Sequence, residues 1–213
     1  MTKPEVDTQL LPADHPGALE RALEVLQNGG LVAFPTDTVY GLGALALDAA
    51  AVERIYAAKG RSLEKAIPIL LGDPGDLGKV AVEVGEMALK LAARFWPGPL
   101  TLVVPRHPSI PEAVSPLPTV AVRVPGHPLA RALLRLTGPL AVTSANLSGQ
   151  AGPSTAQEVL VQLGGRIPLI LDGGRTPGGL PSTVVNCVGS EPQVLREGPI
   201  TLEQINSVLF PTA

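Results

Sequence analysis

The sequence predicts one α/β domain built around a mixed β-sheet with helices on both faces. Three features of its 213 residues carry this expectation. Apolar segments of strand length intermix along the whole chain with segments whose apolar residues recur at helical spacing. The strand-length segments are continuously apolar, as strands buried on both faces are. Near the C-terminus three of them follow one another without helices between, so the sheet cannot be purely parallel.

Asp14-His15-Pro16 opens a helix carrying Leu19, Ala22, Leu23 and Leu26, and Gly29-Gly30 closes it. Leu31 to Phe34 is a short buried strand that runs into a polar loop, Pro35 to Gly43. Asp48 is an N-cap for a helix with Val52, Ile55 and Tyr56, ending near Lys59-Gly60-Arg61. Ile67 to Leu71 is a strand, Glu86 to Phe95 a helix, and Pro97-Gly98-Pro99 its stop. Leu100 to Val104 and Thr119 to Val124 are strands. Pro128 begins a helix that ends near Gly138, and Leu140 to Val142 feeds Thr143-Ser144-Ala145-Asn146. Ser154 to Gln157 has capping-box spacing and starts a helix, as does Thr201 to Gln204. Ile167 to Leu171, Thr183 to Val188 and Gln193 to Leu195 are the last strands.

Hydrophobic residues make up 45% of the chain and aromatics only 3%, so the core must be aliphatic. Gly and Pro, 23 each, are dispersed and mark no linker, so residues 1–213 read as a single domain with its core at about 17–200. A net charge of -3 excludes a generally basic coat, though not a basic cleft. The single cysteine, Cys187, fits a reducing compartment. No apolar run is long enough for a membrane helix and the start lacks a secretory pattern, so the expectation is a cytoplasmic protein without membrane contact.

Polar groups gather where apolar strands end, which is where open α/β sheets place ligands. Thr36 and Thr38 offer hydroxyls, or form an ordinary turn. Lys59, Arg61 and Lys65 either complement a helix dipole or clamp phosphates. Ser144 and Asn146 follow a strand directly, and Ser182-Thr183 precedes one. Arg123, among Val120, Val122 and Val124, needs a carboxylate partner, either structural or from a ligand. Ser154 serves as an N-cap or as part of an anion site. The Gly41-Leu42-Gly43 run lacks the tight strand-turn-helix of a dinucleotide fingerprint, and no phosphate-loop motif is present. His15, His107 and His127 are scattered, suggesting neither a metal cluster nor a Ser-His pair.

Seven segments in order resemble the YrdC/TsaC family of L-threonylcarbamoyladenylate synthases. They are Pro35 to Gly43, Lys59-Gly60-Arg61, Trp96 to Thr101, Val122 to Pro125, Thr143 to Gly149, Ser182 to Val185, and Leu195 to Gly198. The resemblance implies an open, twisted mixed sheet around a deep, concave, positively charged cleft. It implies nucleotide contacts at Arg61, Lys65, Thr119, Asn146, Ser154 and Arg196. It places threonine contacts at Thr38, Arg123, Ser144 and Ser182, and sets Lys59 near the phosphates and the carbonyl donor as a catalytic partner of Arg61. Many members carry histidine where this chain has Leu70 and aspartate where it has Asn186, two departures that bear on threonine affinity. The extra C-terminal domain of the larger family form is not expected here.

The implied reaction makes the adenylate and pyrophosphate from ATP, L-threonine and bicarbonate, the first step toward the threonylcarbamoyl-adenosine beside the anticodon of tRNA. Mg2+ is expected to be carried mainly by ATP, with no dedicated metal ligands in the chain. Expected partners are the proteins that transfer the product to tRNA, and tRNA or double-stranded RNA itself. The alternative from another class is an RNA-binding module without chemistry, in which Lys59, Arg61, Lys65 and Arg196 grip phosphates.

Overall fold

The computed structural model of the protein describes residues 6–177 and 180–211. In chain order the elements are β1 (Gln9–Pro12), α1 (Ala18–Gln27), β2 (Val32–Pro35), β3 (Tyr40–Leu45), α2 (Ala49–Lys59) and β4 (Ile69–Leu70). A 3-10 turn (Pro74–Lys79), α3 (Glu86–Phe95), β5 (Leu100–Pro105), β6 (Thr119–Arg123), α4 (Pro128–Thr137) and β7 (Leu140–Ser144) follow. The chain closes with α5 (Ala156–Leu163), β8 (Leu169–Asp172), β9 (Thr183–Asn186), β10 (Gln193–Arg196) and α6 (Leu202–Leu209). All ten strands join one sheet in the order β1-β8-β2-β3-β7-β4-β6-β5-β9-β10. The sheet is mixed: β2 is parallel to β8 but antiparallel to β3, and β5 is parallel to β9 but antiparallel to β6.

The caps act largely as their chemistry dictates. Asp48 accepts from the Ala51 amide at the start of α2, and Thr201 and Gln204 form a reciprocal capping box on α6. At α5 the cap is Thr155, one residue later than the spacing suggested; its hydroxyl accepts from Glu158 N. Ser154 is therefore not the N-cap, and its hydroxyl instead donates to the Glu158 carboxylate.

Three stretches differ from expectation. Gln9–Pro12 is an edge strand paired to β8, and a single buried residue, Leu11, gave it little apolar signal. Tyr40 to Gly43, expected as loop, begins β3, because Tyr40, Leu42 and Ala44 alternate into the core while Gly41 and Gly43 face the other side. The strand expected at Ile67 to Leu71 is reduced to Ile69–Leu70; outside that pair, Ile67 and Leu71 bond to Val114 and Arg123.

Two buried clusters lie on opposite faces of the sheet. On one face, α2, α3, α5 and α6 cover residues including Leu42, Ile69, Leu102, Val122 and Val185. On the other, α1 and α4 pack together over Phe34, Leu140, Val142 and Leu171. Asp73 accepts from both Arg131 and Arg135, tying α4 to the segment after β4. On the second face the buried cluster reaches from β8 through β2, β3 and β7 to Leu70 of β4, and includes no residue of β5 or β6. Along β5 and β6, Leu100, Leu102, Val120 and Val122 enter the first cluster, so Thr101 and Arg123 project to the face that α1 and α4 leave open.

Gly41 is required by close approach. A Cβ there would lie 2.7 Å from Val142 Cγ1. Gly41→Ala should destabilise the fold by about 1–3 kcal/mol through overpacking. Val142→Ala in the same chain should recover part of the loss, both read by urea denaturation.

Candidate active site

A cavity of about 240 Å³ opens on the second face of the sheet, beside the cluster that α1 and α4 cover. Thr38, Arg61, Arg123, Ser144, Ser182 and Arg196 all line it, although they come from six separate segments. Thr36, Gly41, Leu70, Thr101 and Val142 complete much of its floor. The sequence placed these groups at strand ends. The structure shows a cavity spread across a sheet face, from the end of β7 to the start of β5, two strands that run in the same direction.

Arg123 is the buried cation at its base, only 5% exposed. Its Nε donates to Gly98 O at 2.9 Å, one terminal nitrogen to Thr38 Oγ1 at 3.2 Å and the other to Asp37 Oδ1 at 2.5 Å. The threonine pair has a definite sense. Thr36 Oγ1 gives its proton to Val39 O at 2.7 Å, so the 3.0 Å contact with Thr38 must be donated by Thr38. Thr38 Oγ1 is thereby left to accept from Arg123. Burial lowers the Arg123 pKa, and the charge of Asp37 opposes that shift. Asp37 is the partner the sequence left unassigned. The signal for it was available in the need of any buried arginine for a carboxylate.

A second cluster closes the far wall. Ser182 Oγ and Thr101 Oγ1 are 2.7 Å apart, and Arg196 donates to both Ser182 Oγ and Ser182 O at 3.0 Å. Thr101, which the sequence does not single out within the Trp96 to Thr101 segment, faces the cavity because its neighbours Leu100 and Leu102 face the core.

Lys59 is more buried than a solvent-facing phosphate clamp. Its Nζ donates to Ser144 O and to Asn146 O, the latter at 2.5 Å, and so staples the end of α2 to the segment after β7. Burial, then the charge of Arg61, pushes its pKa down from 10.5 to about 7. Arg61 lies on the cavity wall and donates to Ala66 O at 3.0 Å. Asn146 donates to Leu147 O and Gln150 O, while its buried Oδ1 has no partner. Asn146, Lys59 and Lys65 are not among the lining residues, and Lys65 is exposed.

The remaining positions are further out. Thr119 shares the face of β6 with Arg123, roughly 13 Å along the strand at its other end. Ser154 is engaged by Glu158 and by Arg175, which donates to its hydroxyl at 3.1 Å. Leu70, the first departure from the family pattern, lines the cavity beside Arg123 in the β4–β6 register. Asn186, the second, accepts from Val188 N and pairs with Val103. Burial pushes the Cys187 thiol up to about 12, too high for a nucleophilic thiolate.

An open mixed sheet whose exposed face holds hydroxyls and guanidinium groups defines an α/β domain for a small polar ligand. Known proteins share this fold. The Sua5/YciO/YrdC family model, described as telomere recombination, matches residues 24–198. The threonylcarbamoyl-AMP synthase of Bacillus subtilis is 45% identical over 196 residues, covering 91% of this chain and 57% of that relative. The putative threonylcarbamoyl-AMP synthase of Mycobacterium tuberculosis is 39% identical, covering 93% of this chain and 92% of that relative. The crystal structure of P. abyssi Sua5 complexed with L-threonine superposes with a TM-score of 0.89 at 42% identity, covering 96% of this chain and 61% of that one. The chain belongs to the Sua5/YciO/YrdC family. It spans 57% of the Bacillus relative and 55% of a Pyrococcus abyssi relative of the same name.

Between pH 7 and the ordinary lysine range, an unfolded chain holds a proton on Lys59 that the folded chain has released. Stability from this group therefore rises with pH across that window. The unfolding free energy of the wild type should increase relative to that of Lys59→Met as the pH goes from 7 to 9, measured by urea denaturation. A pH-independent difference would mean that Lys59 keeps its proton in the fold.

Proposed function

We propose that the chain synthesises L-threonylcarbamoyladenylate and pyrophosphate from ATP, L-threonine and bicarbonate. One observation carries this reading: a single cavity gathers a buried arginine, three separate hydroxyl groups and two further guanidinium groups, in a chain 45% identical to a threonylcarbamoyl-AMP synthase. Such a lining suits an anionic amino acid beside phosphates.

In this account threonine lies in the cavity with its carboxylate on Arg123. Thr38, Ser144 and Ser182 read its polar groups. A volume of about 240 Å³ is below the range usual for drug-sized ligands, so the adenylate extends along the open face toward Thr119. Asn146 and Ser154 join Arg61, Lys65 and Arg196 as nucleotide contacts. Ser154 would do so by giving up its bond to Glu158.

The threonine amine takes up the bicarbonate carbon with loss of water, forming a carbamate. A carbamate oxygen attacks the α-phosphorus of ATP, and the bond to the β-phosphate oxygen breaks as pyrophosphate leaves. This chemistry needs positioning and charge compensation more than a protein nucleophile. Arg61 and Arg196 offset the phosphate charge. Lys59 holds the Ser144 to Asn146 segment in place, and its perturbed amine suits it to the carbamate end of the reaction.

Among the described residues no group of three or more His, Cys, Asp or Glu gathers as a metal cage. Mg2+ enters this account as part of the ATP substrate, held by triphosphate oxygens and water. No helix among the described residues is long and apolar enough to cross a membrane. We place the protein in the cytoplasm, passing its product to proteins that modify tRNA. The alternative, an RNA grip without chemistry, has less support. Arg61, Arg123 and Arg196 fold onto carbonyls and hydroxyls around the cavity, whereas a duplex needs cations spread over an open surface.

Pyrophosphate release from ATP should require both threonine and bicarbonate; release that ignores either would sink the proposal. Arg61→Ala should lower kcat/KM by roughly one to two decades, the loss of about 1.5–3 kcal/mol expected for a charge-assisted hydrogen bond, while the protein stays folded by circular dichroism.

A further inference from the structure

We propose that Asp37 is a positioning residue for the substrate carboxylate, holding Arg123 from outside the cavity so that its free N–H groups face the ligand. The proposal rests on the reading of Arg123 as the receiver of threonine's carboxylate, and it gives a role to a residue that the sequence left without one. A guanidinium has five N–H donors. Three are taken by groups from two segments: Gly98 O before β5, and Thr38 Oγ1 and Asp37 Oδ1 in the β2–β3 connection. One N–H on each terminal nitrogen is left over.

Thr36, Thr38 and Arg123 line the cavity, but Asp37, between the two threonines, does not. Its side chain is turned the other way, with Oδ2 only 3.3 Å from where a Cβ on Gly126 would stand. The Asp37 carboxylate therefore grips Arg123 without occupying the ligand's place. Its side chain is 19% exposed and that of Arg123 6%, so the pair is largely shielded from solvent. A guanidinium pinned at three points needs little reordering when a carboxylate arrives.

The test compares L-threonine with L-threoninol, which has the same amine and hydroxyl but no carboxylate, by calorimetry on the full chain and on Asp37→Asn and Asp37→Glu. Asp37→Asn should weaken threonine binding by about tenfold or more and leave threoninol within about twofold. KM for threonine should rise in step, with kcat at saturating threonine retained. Asp37→Glu, which keeps the charge, should lose less, and it carries the test if the Asn variant does not fold. Equal losses for both ligands, or no loss, would overturn the proposal. Tighter threonine binding by Asp37→Asn would also overturn it, by making Asp37 a competitor of the substrate. A folded wild type that binds neither ligand would remove the threonine reading itself, a result separable from failure at Asp37.

Discussion

Burying an arginine on the face of a β-sheet is the constraint around which the cavity is organised. A guanidinium out of water without partners would cost several kcal/mol. Arg123 avoids this by drawing a backbone carbonyl from the α3–β5 connection and a hydroxyl and a carboxylate from the β2–β3 connection onto one group. Those connections belong to strands that are not neighbours in the sheet. The ion pair thus fixes the shape of the cavity floor as well as its charge.

The fold provides the vacancy in which this group can work. Helices α1 and α4 cover only part of one face, and strand alternation then decides what the open part presents. On β5 and β6 the residues that turn from the core are Thr101 and Arg123, while β3 contributes Gly41, whose missing side chain leaves room for Val142. Hydroxyls and cations are tolerated there because each finds a partner, as Ser182 meets Thr101 and Arg196; behind the wall Lys59 meets one carbonyl at the end of β7 and one just past it.

Much of this was legible in the sequence, for physical reasons. Helices with clear periodicity and caps, such as those after Asp48 and Thr201, appeared where expected. Tyr40 to Gly43 did not, because glycine reads as a loop signal unless the tight sheet face that requires it is known. Edge strand β1 was invisible because edge strands need little apolar pattern. Residues spread from Thr38 to Arg196 could be grouped through their resemblance to a family, and the structure brings both into one cavity. Arg123 signalled the need for a carboxylate, but Asp37 lies far along the chain from it and spacing does not say which carboxylate answers. The burial of Lys59 was hidden likewise, since its partners are backbone carbonyls that have no sequence signature.

The central claim is that this cavity joins a threonine-derived carbamate to an adenylate. Mass spectrometry of the product from ATP, L-threonine and isotope-labelled bicarbonate tests it most directly. The account predicts an adenylate that carries both the threonine mass and the labelled carbon. Folded protein that yields only unlabelled adenine nucleotides under those conditions would contradict it.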